Sequence, residues 1–266
     1  MVRLLHAART DVGMIRSGNE DSFAVDMSDA RGVFMVADGM GGHAAGEVAS
    51  EMAVQIVVRE LGGVQDLQAT DAARRIADAL LHANRSIHDR TLTEVDKQGM
   101  GTTASVLLVS GTKYMIGQVG DSRVYLLRDG ALGQLTKDHS YVQEQVDLGN
   151  LTPEQARYHP YSNVITRCVG ASPDVEPDVY AGEVKLGDVF LVASDGLTGM
   201  VDDRRLQQLL MARTIPERKV QALIAEANGR GGLDNITAIV VQVESGDEPH
   251  VDRTTQEMAA VSPGHE

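Results

Sequence analysis

Residues 103–128 read TASVLLVSGTKYMIGQVGDSRVYLLR. Three β-rich runs, 103–109, 114–119 and 123–128, are separated by Ser110-Gly111-Thr112 and by Gly120-Asp121-Ser122. A parallel crossover needs a dozen or more residues, so links this short predict antiparallel neighbours. Working outward, further strand patterns lie at 22–26, 33–37, 189–193 and 235–243. Helical spacing of apolar residues appears at 44–61 (Val48, Met52, Ile56) and at 72–90 (Ile76, Leu80, Ala83, Ile87). Thr152-Pro153-Glu154-Gln155 carries a helix N-cap, a proline at the first helical position and a capping-box partner. Thr214-Ile215-Pro216-Glu217 has the same spacing before 220–227. Both caps are read as structural. Strands and helices mix without steady βαβ alternation, which predicts an α+β sandwich of antiparallel sheets with helices outside.

The chain has 266 residues, of which 42% are hydrophobic and 3% aromatic, so a large aliphatic core is available. Its net charge of -14 argues against general binding to nucleic acid or to anionic membranes. The single cysteine, Cys168, excludes an internal disulfide and a Cys-x-x-Cys metal site, in keeping with a reducing cytosol. No apolar run is long enough to span a bilayer, and the amino-terminal run is too short for a signal peptide. The expectation is a cytoplasmic monomer with one domain over 1–243. The polar residues 244–266 read as a disordered tail.

Acidic turns end the apolar runs. Asp38-Gly39 follows VFMVA, and Ser194-Asp195-Gly196 follows the near-identical VFLVA. Asp121 follows MIGQV, Asp234 precedes the run beginning at Asn235, and Glu20-Asp21 precede SFAV. Any one of these is an ordinary turn, since Asp and Gly are common turn formers. Gathered at one rim, the carboxylates would repel one another unless protonated or bridged by cations. Without Cys or His ligand spacing, the implied ion is hard: Mg²⁺ or Mn²⁺. Two such ions can activate a shared water and neutralise a phosphoryl group. Gly39-x-Gly41-x-x-Ala44 also fits a dinucleotide fingerprint. That reading fails because Asp38 would face the pyrophosphate, and because the second strand and its ribose-binding acid are missing. No P-loop motif is present.

The stretches RSGNEDSF, VADGMGGHAAGEVAS, GMGTTAS, GDSRVYLLRDG, LTKDHS, VASDGL and GLDNITAIVV occur in this order from Arg16 to Val241. Together they resemble the bacterial PPM, or protein phosphatase 2C-like, metal-dependent serine/threonine phosphatases. The resemblance implies a four-layer αββα sandwich and a phosphoric monoester hydrolase acting on phosphoserine and phosphothreonine proteins. A cognate serine/threonine kinase is the implied partner. In such an enzyme a water activated between two Mn²⁺ or Mg²⁺ ions attacks phosphorus without a phospho-enzyme. Asp38 would bridge the two ions and the Gly39 carbonyl would ligate the second. Asp195 and Asp234 would complete the first ion, and Glu20 would hold metal-bound water with Asp21 nearby. Asp121 with Asp195 would hold a third, weaker ion. Arg16 would clamp the substrate phosphate.

Bland readings stand beside these. Asp21 and Asn235 also serve as turn formers, Arg123 and Arg128 as partners of acids or solvent, and Thr102 and Thr103 as the start of a strand. Asp138 and His139 have no assigned role. Many eukaryotic relatives carry a proton-donating histidine directly after the Asp-Gly pair. Here that slot holds Met40, whose thioether cannot donate a proton. His43 nearby reads either as a substitute or as a structural residue, which leaves the general acid open. The region 139–168 shows two short helical patterns and a Gly149-Asn150 break; in the family it is a flap beside the site. Two rival readings are a metal-holding phosphopeptide binder without turnover and an esterase acting on small phosphate esters.

Overall fold

The long strands carry apolar side chains on both faces. In β3 (Arg31–Met40), Val33, Met35 and Ala37 are buried on one side, and Phe34 and Val36 on the other. A strand buried on both faces lies between two layers, because successive side chains point to opposite faces. The computed structural model describes residues 2–28, 30–41 and 45–246 and builds this arrangement throughout.

Before β3 come β1 (Val2–Asp11) and β2 (Asp21–Ser28). Two long helices follow it, α1 (Ala45–Leu61) and α2 (Ala72–Thr93). Next are β4 (Gly101–Thr102), β5 (Ala104–Ser110), β6 (Lys113–Val119), β7 (Arg123–Arg128) and β8 (Ala131–Gln134). The short helices α3 (Tyr141–Asp147) and α4 (Pro153–Arg157) occupy the expected flap region. The chain then forms β9 (Asp178–Glu183), β10 (Val189–Ala193), α5 (Asp195–Thr198), α6 (Asp203–Leu210), α7 (Pro216–Gly229) and β11 (Ile236–Ser245). One sheet has the order β1-β11-β10-β7-β8; the other has β2-β3-β5-β6-β9, with β4 on β3. All strand pairs are antiparallel.

Three cores follow from the period of two. Leu4, Phe34, Leu107, Phe190 and Ile239 fill the space between the sheets. Val33, Met35, Val106 and Leu108 pack under Ala53, Val57, Ile76 and Leu80 of α1 and α2. Leu191, Ala238 and Val240 pack under Leu206, Val220 and Leu223 of α6 and α7. The fold is therefore an α+β sandwich with four layers, αββα, as the sequence implies.

The differences from the sequence reading have physical causes. Gly120-Asp121-Ser122 does not close a hairpin: β6 and β7 lie in different sheets, and the link crosses between them. A short link excludes a parallel crossover but permits a change of sheet. The strand patterns missed β1, where only Leu4 and Ala7 are buried, and β9, an edge strand with no buried residue. The capping box at Thr152 and Gln155 forms in full. The one read at Thr214 does not, because Pro216 starts α7 and makes Ile215 the N-cap, without a side-chain hydrogen bond. β11 continues to Ser245, beyond the expected boundary at Val243. His43 and the residues after Gly246 lie outside the described residues.

Candidate metal centre

Strand register collects the acidic turns at one end of the sandwich. Asp21 and Asp38 are partners across β2 and β3. Ala193, the last residue of β10, pairs with Ala238 on one side and Arg123 on the other. Asp195, Asp234 and Asp121 therefore sit beyond the same edge. Ala104 pairs with Val119, which brings the Asp121 turn beside β5. Cross-sheet hydrogen bonds join the two halves: Ser194 Oγ donates to Asp21 Oδ2 (2.8 Å) and accepts from the Thr237 amide (3.0 Å). The Glu20 amide donates to Asn235 Oδ1 (2.8 Å). Asn235 Nδ2 in turn donates to the carbonyls of Val12 and Gly18, so one side chain fastens the β1–β2 loop, with Arg16 in it, to the start of β11.

The two Asp-Gly pairs are built alike. A Cβ on Gly39 would lie 2.1 Å from the Gly46 carbonyl oxygen, and one on Gly196 would lie 2.0 Å from that of Asn235. Only glycine lets each chain end approach the neighbouring backbone this closely. The backbone of Asp38 is clamped as well. Its amide donates to Thr103 Oγ1 (2.9 Å), and its carbonyl accepts from the Thr103 amide (2.9 Å) and from Thr102 Oγ1 (2.9 Å). Thr103 Oγ1 also meets Ser122 Oγ at 2.7 Å, beside Asp121. Thr102 and Thr103 thus do more than start a strand: they tie the Asp38 and Asp121 turns together.

Asp21 and Asp121 are buried, whereas Asp38, Asp195 and Asp234 are partly open above them. Burial pushes Asp38 well above the usual carboxylate range, and the charges of Asp21, Asp195 and Asp121 push it further. Burial raises Asp121 strongly too, with Asp195 and Asp138 adding to it. Asp21 is pushed up to about 7, chiefly by burial and against hydrogen bonds from Thr237 and Ser194. Asp195 is raised by burial, opposed by its hydrogen bond with Asp38. Burial also raises Glu20, with Arg16 opposing and Asp234 and Glu47 reinforcing.

The donor set fits a hard cation. The acids gathered at this rim offer only oxygen, and buried Asp21 Oδ1 and Asp195 Oδ1 have no hydrogen-bond partner. Among the described residues, no three acids or histidines already close on a single point. A Mg²⁺-like ion tolerates this, since it keeps several waters and needs only one or two carboxylates. Cationic compensation is thin. Arg16 Nη2 meets Asp234 Oδ2 at 2.7 Å, a pair half exposed to solvent. Arg123 is committed to Asp138 through both carboxylate oxygens, and Arg128 to Asp188, as the pairing reading expects. Met40 ends β3 opposite Gly101.

Sequence reasoning did not find Ser194, and it gave His139 no role. His139 is buried, its Nδ1 accepts from the Gly120 amide (3.1 Å), and its own amide donates to the Gly120 carbonyl (2.9 Å). It therefore braces the Asp121 turn. The adjacency of Ser194 to Asp195 and of His139 to Asp138 was the only signal in the sequence.

Residues 15–227 match the family profile described as Protein phosphatase 2C. The serine/threonine phosphatase Stp of Listeria monocytogenes is 38% identical over 243 residues, covering 90% of this chain and 96% of that one. The crystal structure of the Mycobacterium tuberculosis serine/threonine phosphatase PstP/Ppp superposes with a TM-score of 0.83 at 38% identity, covering 91% of this chain and 100% of that one. A structure of the PstP catalytic domain in complex with two manganese ions gives 0.82 at 36% identity, covering 92% and 100%. The sandwich, the ordered motifs and these similarities agree: the chain belongs to the protein phosphatase 2C family.

Proposed function

We propose that this protein is a metal-dependent phosphatase that hydrolyses phosphoserine and phosphothreonine monoesters of proteins. The observation that carries the reading is the set of buried and partly buried, mutually repelling carboxylates at one rim, with Asp21 Oδ1 and Asp195 Oδ1 left without partners. Asp38, the Gly39 carbonyl, Asp195 and Asp234 would hold two Mn²⁺ or Mg²⁺ ions, with Glu20 and Asp21 supporting them and Asp121 with Asp195 holding a third. Bound ions of this kind supply an activated water and neutralise phosphoryl oxygens.

The chain's own residues do the rest. Arg16 presents a guanidinium to the substrate phosphate. Its existing pair with Asp234 is half exposed, and such pairs contribute about 1 kcal/mol or less, so a phosphate dianion displaces it readily. Thr102, Thr103 and Ser194 hold the carboxylates in place. Cys168 is no rival nucleophile, because burial pushes its thiol up and keeps it protonated. The substrates are phosphoproteins, a cognate kinase is the natural partner, and the enzyme acts as a cytoplasmic monomer. No helix among the described residues is long and apolar enough to cross a membrane.

The test is turnover of p-nitrophenyl phosphate and of phosphoserine and phosphothreonine peptides with Mn²⁺, before and after EDTA. Peptide hydrolysis that stops on chelation and returns with Mn²⁺ is the expected result. Activity surviving full chelation would remove the metal centre from the account. Hydrolysis of sugar phosphates with no peptide turnover would favour a small-ester enzyme, and metal-dependent peptide binding without turnover a binding module.

A further inference from the structure

We infer that the two loops flanking Arg16 form an apolar docking surface that selects protein substrates with an apolar residue beside the phosphorylated one. This rests on the phosphatase reading and adds the kind of sequence it prefers. Met14 and Ile15 in the β1–β2 loop are 66% and 67% exposed, and Leu233 in the loop before β11 is 57% exposed. Each large apolar side chain left in water forgoes stabilisation of about 1.5–3 kcal/mol, so three together next to a candidate site need a reason.

Their exposure is built rather than frayed. The Met14 amide donates to the Gly232 carbonyl (2.8 Å), and a Cβ on Gly232 would lie 2.9 Å from Met14 Cγ. Asn235 Nδ2 holds the Val12 carbonyl at 3.0 Å, and the Gly13 amide donates to Asp11 Oδ1 at 3.0 Å. The two loops are therefore fixed to each other with their apolar side chains outward. Ile15 is bonded to Arg16 and Leu233 to Asp234, and the Arg16–Asp234 pair spans 2.7 Å between the loops. The apolar surface thus borders the phosphate-binding guanidinium directly. Successive Cα atoms lie about 3.8 Å apart, so a residue one or two places from a phosphoserine at Arg16 lies within reach of it. The occupant is an aliphatic side chain of the substrate. An acidic neighbour would instead meet the carboxylate rim.

The experiment compares Mn²⁺-loaded enzyme on three phosphoserine peptides that differ only in the residues flanking the phosphoserine: leucine, glycine or aspartate. Wild type is expected to give a kcat/KM for the leucine peptide about tenfold above the glycine peptide, the effect of burying half of a leucine side chain, with aspartate lowest. Ile15→Ser and Leu233→Ser, on separate loops and at exposed positions, are each expected to bring the leucine-to-glycine ratio towards one, chiefly through KM. Thermal melts check that both variants are folded. A wild type that turns over all three peptides equally, or variants that keep the full preference, would overturn the docking surface while leaving the phosphatase reading intact. A wild type that hydrolyses p-nitrophenyl phosphate but no peptide would overturn both.

Discussion

Replacing Asp21 with asparagine should make the metal-free protein more stable at pH 8. Asp21 is buried, and in the folded chain its carboxyl ionises at about 7, against 3.8 when unperturbed. Below 3.8 both states carry the proton and the group imposes no penalty. Between these values the unfolded chain loses its proton first, so stability falls as pH rises. Above about 7 the whole penalty is present, roughly 4 kcal/mol as a ceiling. Asparagine preserves shape and still offers an oxygen to Ser194 Oγ, the partner of Asp21 Oδ2, but carries no charge. In EDTA the two proteins should melt together near pH 4 and diverge as pH rises. By pH 8 the variant should melt higher by up to roughly 8–16 °C, given about 2–4 °C per kcal/mol for a chain of this size. Saturating Mn²⁺ should narrow the gap, because bound cations offset the buried charge of Asp21, which asparagine lacks, and so stabilise the folded wild type more than the variant. Thermal and urea unfolding across this pH range provide the assay. A wild type as stable as the variant at pH 8 in EDTA would refute the claim that Asp21 is held as a costly buried charge.

Other expectations follow from single contacts. Arg16→Ala should lower kcat/KM for phosphopeptides by about 10–150-fold, the equivalent of about 1.5–3 kcal/mol for hydrogen bonds to a charged group; steady-state kinetics showing less than a twofold loss would contradict a phosphate-binding role. Thr103→Val removes the acceptor of the Asp38 amide, a part-buried bond, and the partner of Ser122 Oγ, a buried one. It should cost about 3 kcal/mol in urea unfolding. Arg157 Nη2 donates to the carbonyls of Thr198 (3.0 Å) and Gly199 (3.3 Å), latching α4 of the flap to the end of α5. Arg157→Ala should raise amide exchange in α4 by about tenfold, the loss of about 1.4 kcal/mol of local stability, while α2 is unchanged.

What could be read from the residues depended on how local the signal was. β3, β5, β10 and β11 announce themselves because a strand buried on both faces is almost wholly apolar. β9 is an edge strand with no buried residue, and β1 buries little beyond Leu4 and Ala7, so neither has a pattern to read. The Gly120–Ser122 link looks like a hairpin turn because its residues are turn formers; which sheet receives the next strand depends on distant partners. The acidic turns were visible because each borders an apolar run. The residues that hold them were not. Ser194, Thr103 and Asn235 are common residue types, and their importance comes from hydrogen bonds to Asp21, Asp38 and Glu20, groups distant in sequence. Arg16 was legible, but its pairing with Asp234, distant in sequence, was not.

The most direct test of the central claim is the Mn²⁺ stoichiometry of Asp38→Asn beside wild type, measured by calorimetric titration of the EDTA-stripped proteins. The expected result is two tight ions per wild-type chain and the loss of at least one in the variant, with the fold retained by circular dichroism. A variant that binds both ions as tightly as wild type would contradict a metal centre organised on Asp38.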